Sequence, residues 1–346
     1  METTGHASTF AASAGTPYAA EAAAETYSAG GNAADAAVAA AAAVSVTEPL
    51  MSSIGGGGFA LVRDPSGAAE LIDYYDAMPG LGLPASAFGA GGAPQTMILK
   101  YGAGVRSIVG GASSAVPGSL RGWEKLLQRH GRLGLKEALA PAVRLARGGF
   151  ELCRTAGLWF QVAEEVLRLT DETRKHFYKG DRVYLEGEEV RFPELADTLQ
   201  AVGEGGAGLF YEGELARTIS AYMLKMGGII TEEDLAEYNA VVREPMSVSY
   251  GAGEMNTNGP PSAGGPTLAQ MLKVVSAYDL ANMPEAEYVR VMAGAMKLAL
   301  RDRETAYLDG SQNGRVAAQL TGEEYAAEQR RRIFSSFGSP HTTHLS

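Results

Sequence analysis

The alanine-rich run Ala33–Val46 is the feature that most constrains the fold of this chain. Such a run favours a helix, and Asn32 before it is a residue type that caps helix N-termini. Asp35 lies in the predicted first turn, where the helix macrodipole stabilises a negative charge. Small side chains let two backbones approach closely, so we expect this helix to be buried against a near neighbour. The preceding segment Tyr18–Tyr27 predicts a separate helix that ends at the glycine pair Gly30–Gly31.

Strand patterns accompany these helices, which predicts an α+β or α/β unit. Phe59–Val62 is a short apolar strand, Asp64–Gly67 has the residues of a hairpin turn, and Ala69–Tyr75 is the returning strand. A loop-rich stretch follows over Pro79–Gly92, and Val241–Tyr250 alternates between apolar and polar residues as a strand does. The sequence therefore predicts helices and strands in one mixed unit.

Helical periodicity dominates the middle of the chain. We find no internal repeat and no low-complexity linker, so we predict a single domain over residues 1–346 with a helical lobe over about 119–240. The helices predicted from apolar spacing and capping residues are Ser119–His130, Leu135–Arg147, Leu158–Leu169, Pro193–Val202, Gly213–Met226, a start at Thr231–Leu235, Pro266–Ala277, Pro284–Leu308 and Glu323–Phe334.

Composition restricts the partners and the location. A net charge of −11 argues against nucleic acids and anionic membranes, since both demand a basic surface. Ala33–Val46 is too short and too weakly apolar to span a membrane. Residues 1–10 lack the basic and apolar regions of a secretory signal, so we expect a cytoplasmic protein. Cys153 is the one cysteine, which allows no internal disulfide, and we expect it to be a small, at least half-buried hydrophobe.

Several short motifs are better explained without chemistry. Gly55–Gly58 is followed by a strand where a phosphate-binding loop needs a helix, so we expect a tight turn or a close backbone approach. Ser262 lies in a near match to a nucleophile elbow but lacks the strand–turn–helix pattern around it. The five histidines have no companions at metal-ligand spacing, so we predict no metal and no cofactor. The arginine clusters Arg301–Glu304 and Arg330–Arg332 are typical of solvated helix faces.

In the triplet Thr342-Thr343-His344, the first threonine has the position and chemistry of a nucleophile that is freed by cleavage of the chain before it. If the peptide bond between His341 and Thr342 is cut, the freed α-amino group, with a near-neutral pKa, can serve as the base that activates the Thr342 hydroxyl. The same hydroxyl can make the cut by attacking the His341 carbonyl and forming an ester that water resolves. Taken alone, the triplet is better explained as the start of a strand with no chemistry.

Separated segments elsewhere in the chain change that balance. They are Gly30–Ala40, Glu48–Pro49, Ser53–Phe59, Ala115–Gly118, Leu209–Gly213, Gly227–Leu235, Pro260–Gly265, Tyr307–Leu308 and Thr342–His344. In order and approximate spacing they resemble the γ-glutamyltransferase family from about residue 10 to the end of the chain.

The resemblance implies an N-terminal-nucleophile hydrolase fold, an αββα sandwich, in a precursor that cleaves itself before a threonine. On that resemblance Thr342 is the nucleophile and His341–Thr342 the scissile bond. The mature enzyme would transfer a γ-glutamyl group, or a related acyl group, from a small-molecule amide to water or an amine through an ester on Thr342.

The chain departs from the family pattern at its substrate-binding strand. The family has an arginine after an Asp–aromatic pair, whereas this chain reads Asp73-Tyr74-Tyr75-Asp76. The bidentate clamp that an arginine offers to a substrate carboxylate is therefore missing. The missing arginine fits the family's divergent branch, which includes acylase-like and amidohydrolase-like members. We expect Tyr75 to line the acyl pocket instead.

The family also divides its machinery between two subunits. The chain ends four residues beyond Thr342, and in the family the oxyanion hole and a second threonine lie in the small subunit. We therefore expect a large-subunit portion with an incomplete sandwich, little activity alone, and a small subunit from the same precursor as its partner.

Two rival hypotheses remain at this level. The chain could be a non-catalytic remnant or binding subunit that keeps the scaffold without the chemistry. It could also be a serine hydrolase that uses Ser262, which full activity in Ser262→Ala would exclude.

Overall fold

This computed structural model describes residues 9–88, 95–306 and 313–336, without the side chains of residues 305–306 and 334–336. The helices are α1 (Pro17–Ser28), α2 (Ala33–Thr47), α3 (Ser119–His130), α4 (Leu135–Gly148), α5 (Arg154–Val162), α6 (Glu164–Leu167), α7 (Asp171–Phe177), α8 (Pro193–Gly205), α9 (Gly208–Tyr211), α10 (Gly213–Lys225), α11 (Glu232–Glu237), α12 (Gly264–Val275), α13 (Glu285–Ala306), α14 (Asn313–Leu320) and α15 (Glu323–Ser336).

The strands are short, and they form one three-stranded sheet and several pairs among the described residues. They are β1 (Gly58–Arg63), β2 (Ala69–Tyr74), β3 (Gln95–Leu99), β4 (Val105–Val109), β5 (Phe150–Glu151), β6 (Tyr178–Lys179), β7 (Arg182–Val183), β8 (Glu189–Val190), β9 (Val241–Arg243), β10 (Met246–Tyr250) and β11 (Gly253–Thr257). The sheet has the order β1-β2-β9, and the pairs are β3-β4, β5-β8, β6-β7 and β10-β11, all four antiparallel. This mixture confirms the predicted α+β class.

The alanine-rich helix is buried as predicted. α2 begins after Asn32, whose side chain accepts hydrogen bonds from the amides of Ala34 and Asp35, while the Asp35 carboxylate accepts one from the Asn32 amide at 2.7 Å. Small residues of α1 and α2, including Ala19 and Ala39, form a common core cluster. Two alanine-lined helices can approach closely because neither has a bulky side chain at the contact.

Asp35 also holds a distant turn. Its carboxylate accepts hydrogen bonds from the backbone amides of Arg132 and Leu133, each at 3.0 Å to its nearer oxygen, and the side chain is fully buried. A buried carboxylate must be satisfied by donors, and here backbone amides supply them. One residue therefore caps α2 and fixes the turn between α3 and α4.

By its internal contacts the chain divides into two compact units. The first comprises Met1–Ala60 and Ile72–Val241, and the second comprises Leu61–Leu71 and Val242–Ser346. The first contains α1–α11, and α3–α11 fall in the range predicted as a helical lobe. In the second, buried residues of α12, α13 and α15 share a core cluster that includes Val274, Val291 and Ile333. The single domain over residues 1–346 stays a prediction.

Two predicted elements are interrupted. Leu158–Leu169 was expected to be one helix, but α5 ends at Val162 and α6 follows, because Ala163 leaves the helical conformation with φ −94° and ψ 10°. Val241–Tyr250 was expected to be one strand, but β9 and β10 are separated at Pro245, which has no amide hydrogen to donate to a ladder.

The sequence does not predict the hairpin of β3 and β4. In β3 and β4, Ile98 and Ile108 are 62% and 57% exposed, so the apolar residues do not mark a buried face. The period-two signal that identifies a half-buried strand is therefore weak here. None of the helices in the described ranges has the length and apolar character needed to cross a membrane.

Candidate functional site

Tyr75, the predicted substrate-binding residue, lies directly after β2 with its backbone held on both sides. Its amide donates to the Asp73 carboxylate at 3.0 Å, and its carbonyl accepts a hydrogen bond from the Tyr238 hydroxyl at 2.8 Å. Tyr238 follows α11 and is only 7% exposed. These contacts fix the direction in which the Tyr75 side chain leaves the strand end.

The Tyr75 ring stacks on Phe59 of β1. The ring centroids are 5.4 Å apart and the planes are inclined by 16°. Tyr75 is nevertheless 56% exposed. Its ring is therefore supported by an aromatic neighbour and still offers a large open surface.

The glycine-rich loop Gly55–Gly58 docks on the N-terminus of α3. The Gly56 carbonyl accepts hydrogen bonds from the amides of Gly118 and Ser119, at 2.8 and 3.0 Å, and the Ser119 hydroxyl donates to the Ser53 carbonyl at 3.0 Å. First-turn amides of a helix are donors without a partner inside the helix, and two amides at this helix start bind a carbonyl. The predicted close backbone approach is thus what the loop makes, in place of a phosphate cradle.

The loop needs a glycine at position 57, because it packs closely against the end of β2 and the residues that follow it. A Cβ on Gly57 would lie 2.6 Å from a carboxylate oxygen of Asp76 and 2.7 Å from the Tyr74 carbonyl oxygen. Real Cβ atoms do not approach oxygen so closely. The loop therefore lies directly against the segment that includes Tyr75.

Two glycines, one just before α3 and one within it, make room for Tyr74, the residue before Tyr75. A Cβ on Gly122 would overlap the Tyr74 ring, and one on Gly118 would overlap both the Tyr74 carbonyl and the Tyr238 hydroxyl. Burial raises the pKa of Tyr74, so its hydroxyl stays neutral. The two glycines let α3 pack against the end of β2.

Tyrosines and carboxylates surround this strand end. Burial is the main cause of the raised pKa of Tyr238, followed by the neighbouring Tyr211, Asp73 and Asp76. Tyr211 stacks on Tyr238 at 5.8 Å, and its hydroxyl donates to the Pro117 carbonyl at 2.9 Å. These contacts place the Ala115–Gly118 block beside the Tyr75 strand.

Asp76 is a surface carboxyl with a partly desolvated environment. Burial raises its pKa from the ordinary 3.8, because desolvation disfavours the charged form. Within the described ranges, no cluster of three His, Cys, Asp or Glu side chains could hold a metal ion.

The capping residue Asp234 connects α11 to the loop after β2. Its carboxylate accepts hydrogen bonds from the amides of Gly80 and Leu81 at 2.8 and 2.7 Å, and from the Thr231 amide at 2.7 Å. The Thr231–Asp234 capping box is visible in the sequence, because the two residues lie three positions apart at a helix start. The bonds to residues 80–81 have no local sequence signal.

His341 and Thr342 fall outside the described residues, as does the Tyr307–Leu308 block. The Ser262 hydroxyl accepts a hydrogen bond from the Gly264 amide at 3.3 Å, a local turn at the start of α12. Cys153 is half-buried just before α5, as expected.

The expectation of a solvated face is wrong for Arg330. Its guanidinium donates to the carbonyls of Lys273 and Val274, at 2.8 and 3.1 Å, at the C-terminal end of α12. Carbonyls in the last turn lack partners within the helix, which is why an arginine stabilises them. Asp302 is also buried, and it accepts hydrogen bonds from Gln270 and Tyr325 at 2.7 and 2.8 Å.

The chain matches known proteins over nearly all of its length. The family model described as Gamma-glutamyltranspeptidase covers residues 19–344. The Glutathione hydrolase proenzyme of Escherichia coli (strain K12) is 32% identical over 307 residues, which are 86% of this chain and 50% of that protein. The Acylase ACY 1 proenzyme of Pseudomonas sp. (strain SE83) is 32% identical over 323 residues, 91% of this chain and 56% of that protein.

Solved structures give the same result. A crystal structure of Helicobacter pylori gamma-glutamyltranspeptidase superposes with a TM-score of 0.82 at 30% identity, over 99% of this chain and 98% of that chain. By contrast, the chain spans about half the length of the curated relatives it matches, 50% and 56% in the two cases above.

Proposed function

The chain belongs to the gamma-glutamyltranspeptidase family, and from that membership we propose that it is the large-subunit portion of a self-cleaving amidohydrolase or acyltransferase precursor. The observation that carries the proposal is the family match over residues 19–344, which includes Thr342. Two relatives of similar identity are named as proenzymes, which supports a precursor that is processed.

The first step of the proposed chemistry is self-cleavage at the His341–Thr342 bond. The Thr342 hydroxyl attacks the His341 carbonyl carbon, the C–N bond breaks, and the hydroxyl proton passes to the Thr342 nitrogen, which becomes the free amine. Water then hydrolyses the ester and leaves a carboxylate on His341. The Thr342 hydroxyl and its free α-amino group are then available as nucleophile and base.

The second chemical cycle uses the same hydroxyl on a substrate. Thr342 attacks the carbonyl of a small-molecule amide, the amine leaves with a proton from the α-amino group, and an acyl ester forms. Water or an acceptor amine then takes the acyl group and restores the hydroxyl. No metal or redox cofactor takes part in either cycle.

We also propose a small subunit from the same precursor as the partner. This chain covers 50% of the Escherichia coli proenzyme but 98% of the Helicobacter pylori chain in the solved structure. The difference supports a precursor in which the matched part is one of two subunits. The substrate is proposed as a γ-glutamyl or related amide. Donors that stabilise the oxyanion would come from the small subunit, so the large subunit alone should have little activity.

Intact-mass analysis of the full-length precursor tests this function. We expect the wild type to split at His341–Thr342, Thr342→Ala to stay whole, and Thr342→Ser to split, because serine keeps a hydroxyl. A wild type that stays whole would refute the proposal.

A further inference from the structure

The exposed face of Tyr75 is an aromatic surface that its neighbours hold in a fixed orientation. Phe59 supports the ring from one side, and hydrogen bonds from the Tyr75 amide to Asp73 and from Tyr238 to the Tyr75 carbonyl hold the backbone. A ligand that stacks on this ring finds the side chain already ordered, so little conformational entropy is lost on binding. Offset stacking is also the arrangement that aromatic pairs prefer.

The charges next to this surface are negative. Asp73 lies two residues before Tyr75, and Asp76 lies one residue after it. After burial and Tyr211, the charges of both carboxyl groups help to raise the pKa of Tyr238, whose hydroxyl donates to the Tyr75 carbonyl. Both carboxyl groups lie within two residues of Tyr75, so they disfavour a ligand carboxylate at this strand end, and a tyrosine offers no positive charge to offset them. A neutral ring would gain the stacking contact without this repulsion.

We propose that the Phe59–Tyr75 pair is an acyl-binding platform that takes an acyl group ending in a neutral aromatic ring, such as an arylacetyl amide. The assignment rests on the proposed function, since the acyl group would be delivered to Thr342. It deepens that function by naming a substrate class other than the zwitterionic glutamyl group. Tyr75 acts as a binding residue and takes no part in proton transfer.

Kinetics on the split, full-length protein test the platform. The substrates are phenylacetyl-p-nitroanilide and γ-glutamyl-p-nitroanilide, and the variants are Tyr75→Ala, Tyr75→Phe and Tyr222→Ala. Tyr222 is the matched control, because it is an exposed tyrosine on α10. Melting temperatures of all variants establish that each is folded.

We expect a higher kcat/KM for the phenylacetyl substrate in the wild type. Tyr75→Ala should raise KM for that substrate about three- to tenfold with kcat little changed, the signature of a lost binding contact. Tyr75→Phe keeps the ring and should keep KM, and Tyr222→Ala should match the wild type. A preference for the γ-glutamyl substrate, or an unchanged KM in Tyr75→Ala, would overturn the platform.

A second measurement separates failure of the platform from failure of the proposed function. If intact mass shows that the protein stays whole, the function proposal fails on that result alone. Binding to the platform is then tested separately by saturation-transfer NMR with 4-phenylbutan-2-one, a neutral aryl compound that has no amide to cleave. A signal lost in Tyr75→Ala and kept in Tyr222→Ala supports it, whereas a signal kept in both, or absent from the wild type, overturns it.

Discussion

Gly122 sets the distance between α3 and the Tyr74 ring at the end of β2. Because a Cβ at this position would overlap the ring, Gly122→Ala forces either the helix or Tyr74 to move. We expect a loss of about 1–3 kcal/mol in the free energy of unfolding, the usual cost of overpacking. Urea unfolding monitored by circular dichroism measures it.

Gly148, the last residue of α4, is the matched control. A Cβ there would meet nothing within 4 Å. Gly148→Ala should therefore leave stability unchanged or raise it by up to about 1 kcal/mol, since alanine loses less backbone entropy on folding. Equal losses in the two variants would contradict the packing role of Gly122.

The raised pKa of Asp76 makes the free energy of unfolding depend on pH. Its pKa is raised in the folded protein, so the folded state binds more protons than the unfolded state above pH 3.8. The carboxyl therefore lowers stability progressively as pH rises from 3.8 through the raised value. We expect Asp76→Asn to melt at a higher temperature than the wild type near pH 7, with the difference shrinking toward pH 4. A difference that is constant between pH 4 and 7 would show that ionisation of Asp76 plays no part.

At the scale of elements, Asp234 joins the start of α11 to the loop after β2. The carboxylate is 5% exposed and binds backbone amides of both segments. Asp234→Ala leaves these amides without their acceptor, so we expect a loss of about 1–3 kcal/mol and faster hydrogen exchange at Gly80 and Leu81. Unfolding curves and exchange measured by mass spectrometry check both effects.

Glu232 provides the comparison for Asp234. It is an exposed first-turn acid of the same helix, where it interacts with the macrodipole only. Glu232→Ala should cost a few tenths of a kcal/mol and leave exchange at Gly80 and Leu81 unchanged. Protection of these two amides in Asp234→Ala would mean that another group holds the loop.

Elements with local signals could be predicted from the sequence, and contacts between distant segments could not. Asn32 and Thr231 identify helix starts because their caps bind amides two or three residues away. Tyr75 was singled out as a site residue on the family pattern, but its stack on Phe59 was not foreseen. The bonds of Asp35 to residues 132–133 and of Asp234 to residues 80–81 join positions about 100 and 150 apart, which no local rule relates.

For the whole molecule, family membership points to a single reactive threonine, Thr342. The described residues supply a scaffold whose glycine loop, α3 and Tyr75 strand pack together in the first unit. The proposed catalytic power depends on a second subunit, because groups that stabilise the oxyanion are a large part of amide cleavage. Large-subunit protein alone should therefore show little turnover of either anilide.

The central claim is that Thr342 becomes an N-terminal residue. The most direct test is N-terminal sequencing of the smaller fragment released from the purified full-length precursor. We expect a sequence that begins Thr-Thr-His-Leu-Ser, from Thr342 onward. A smaller fragment that begins at any other residue, or an active precursor that releases no fragment, would contradict it.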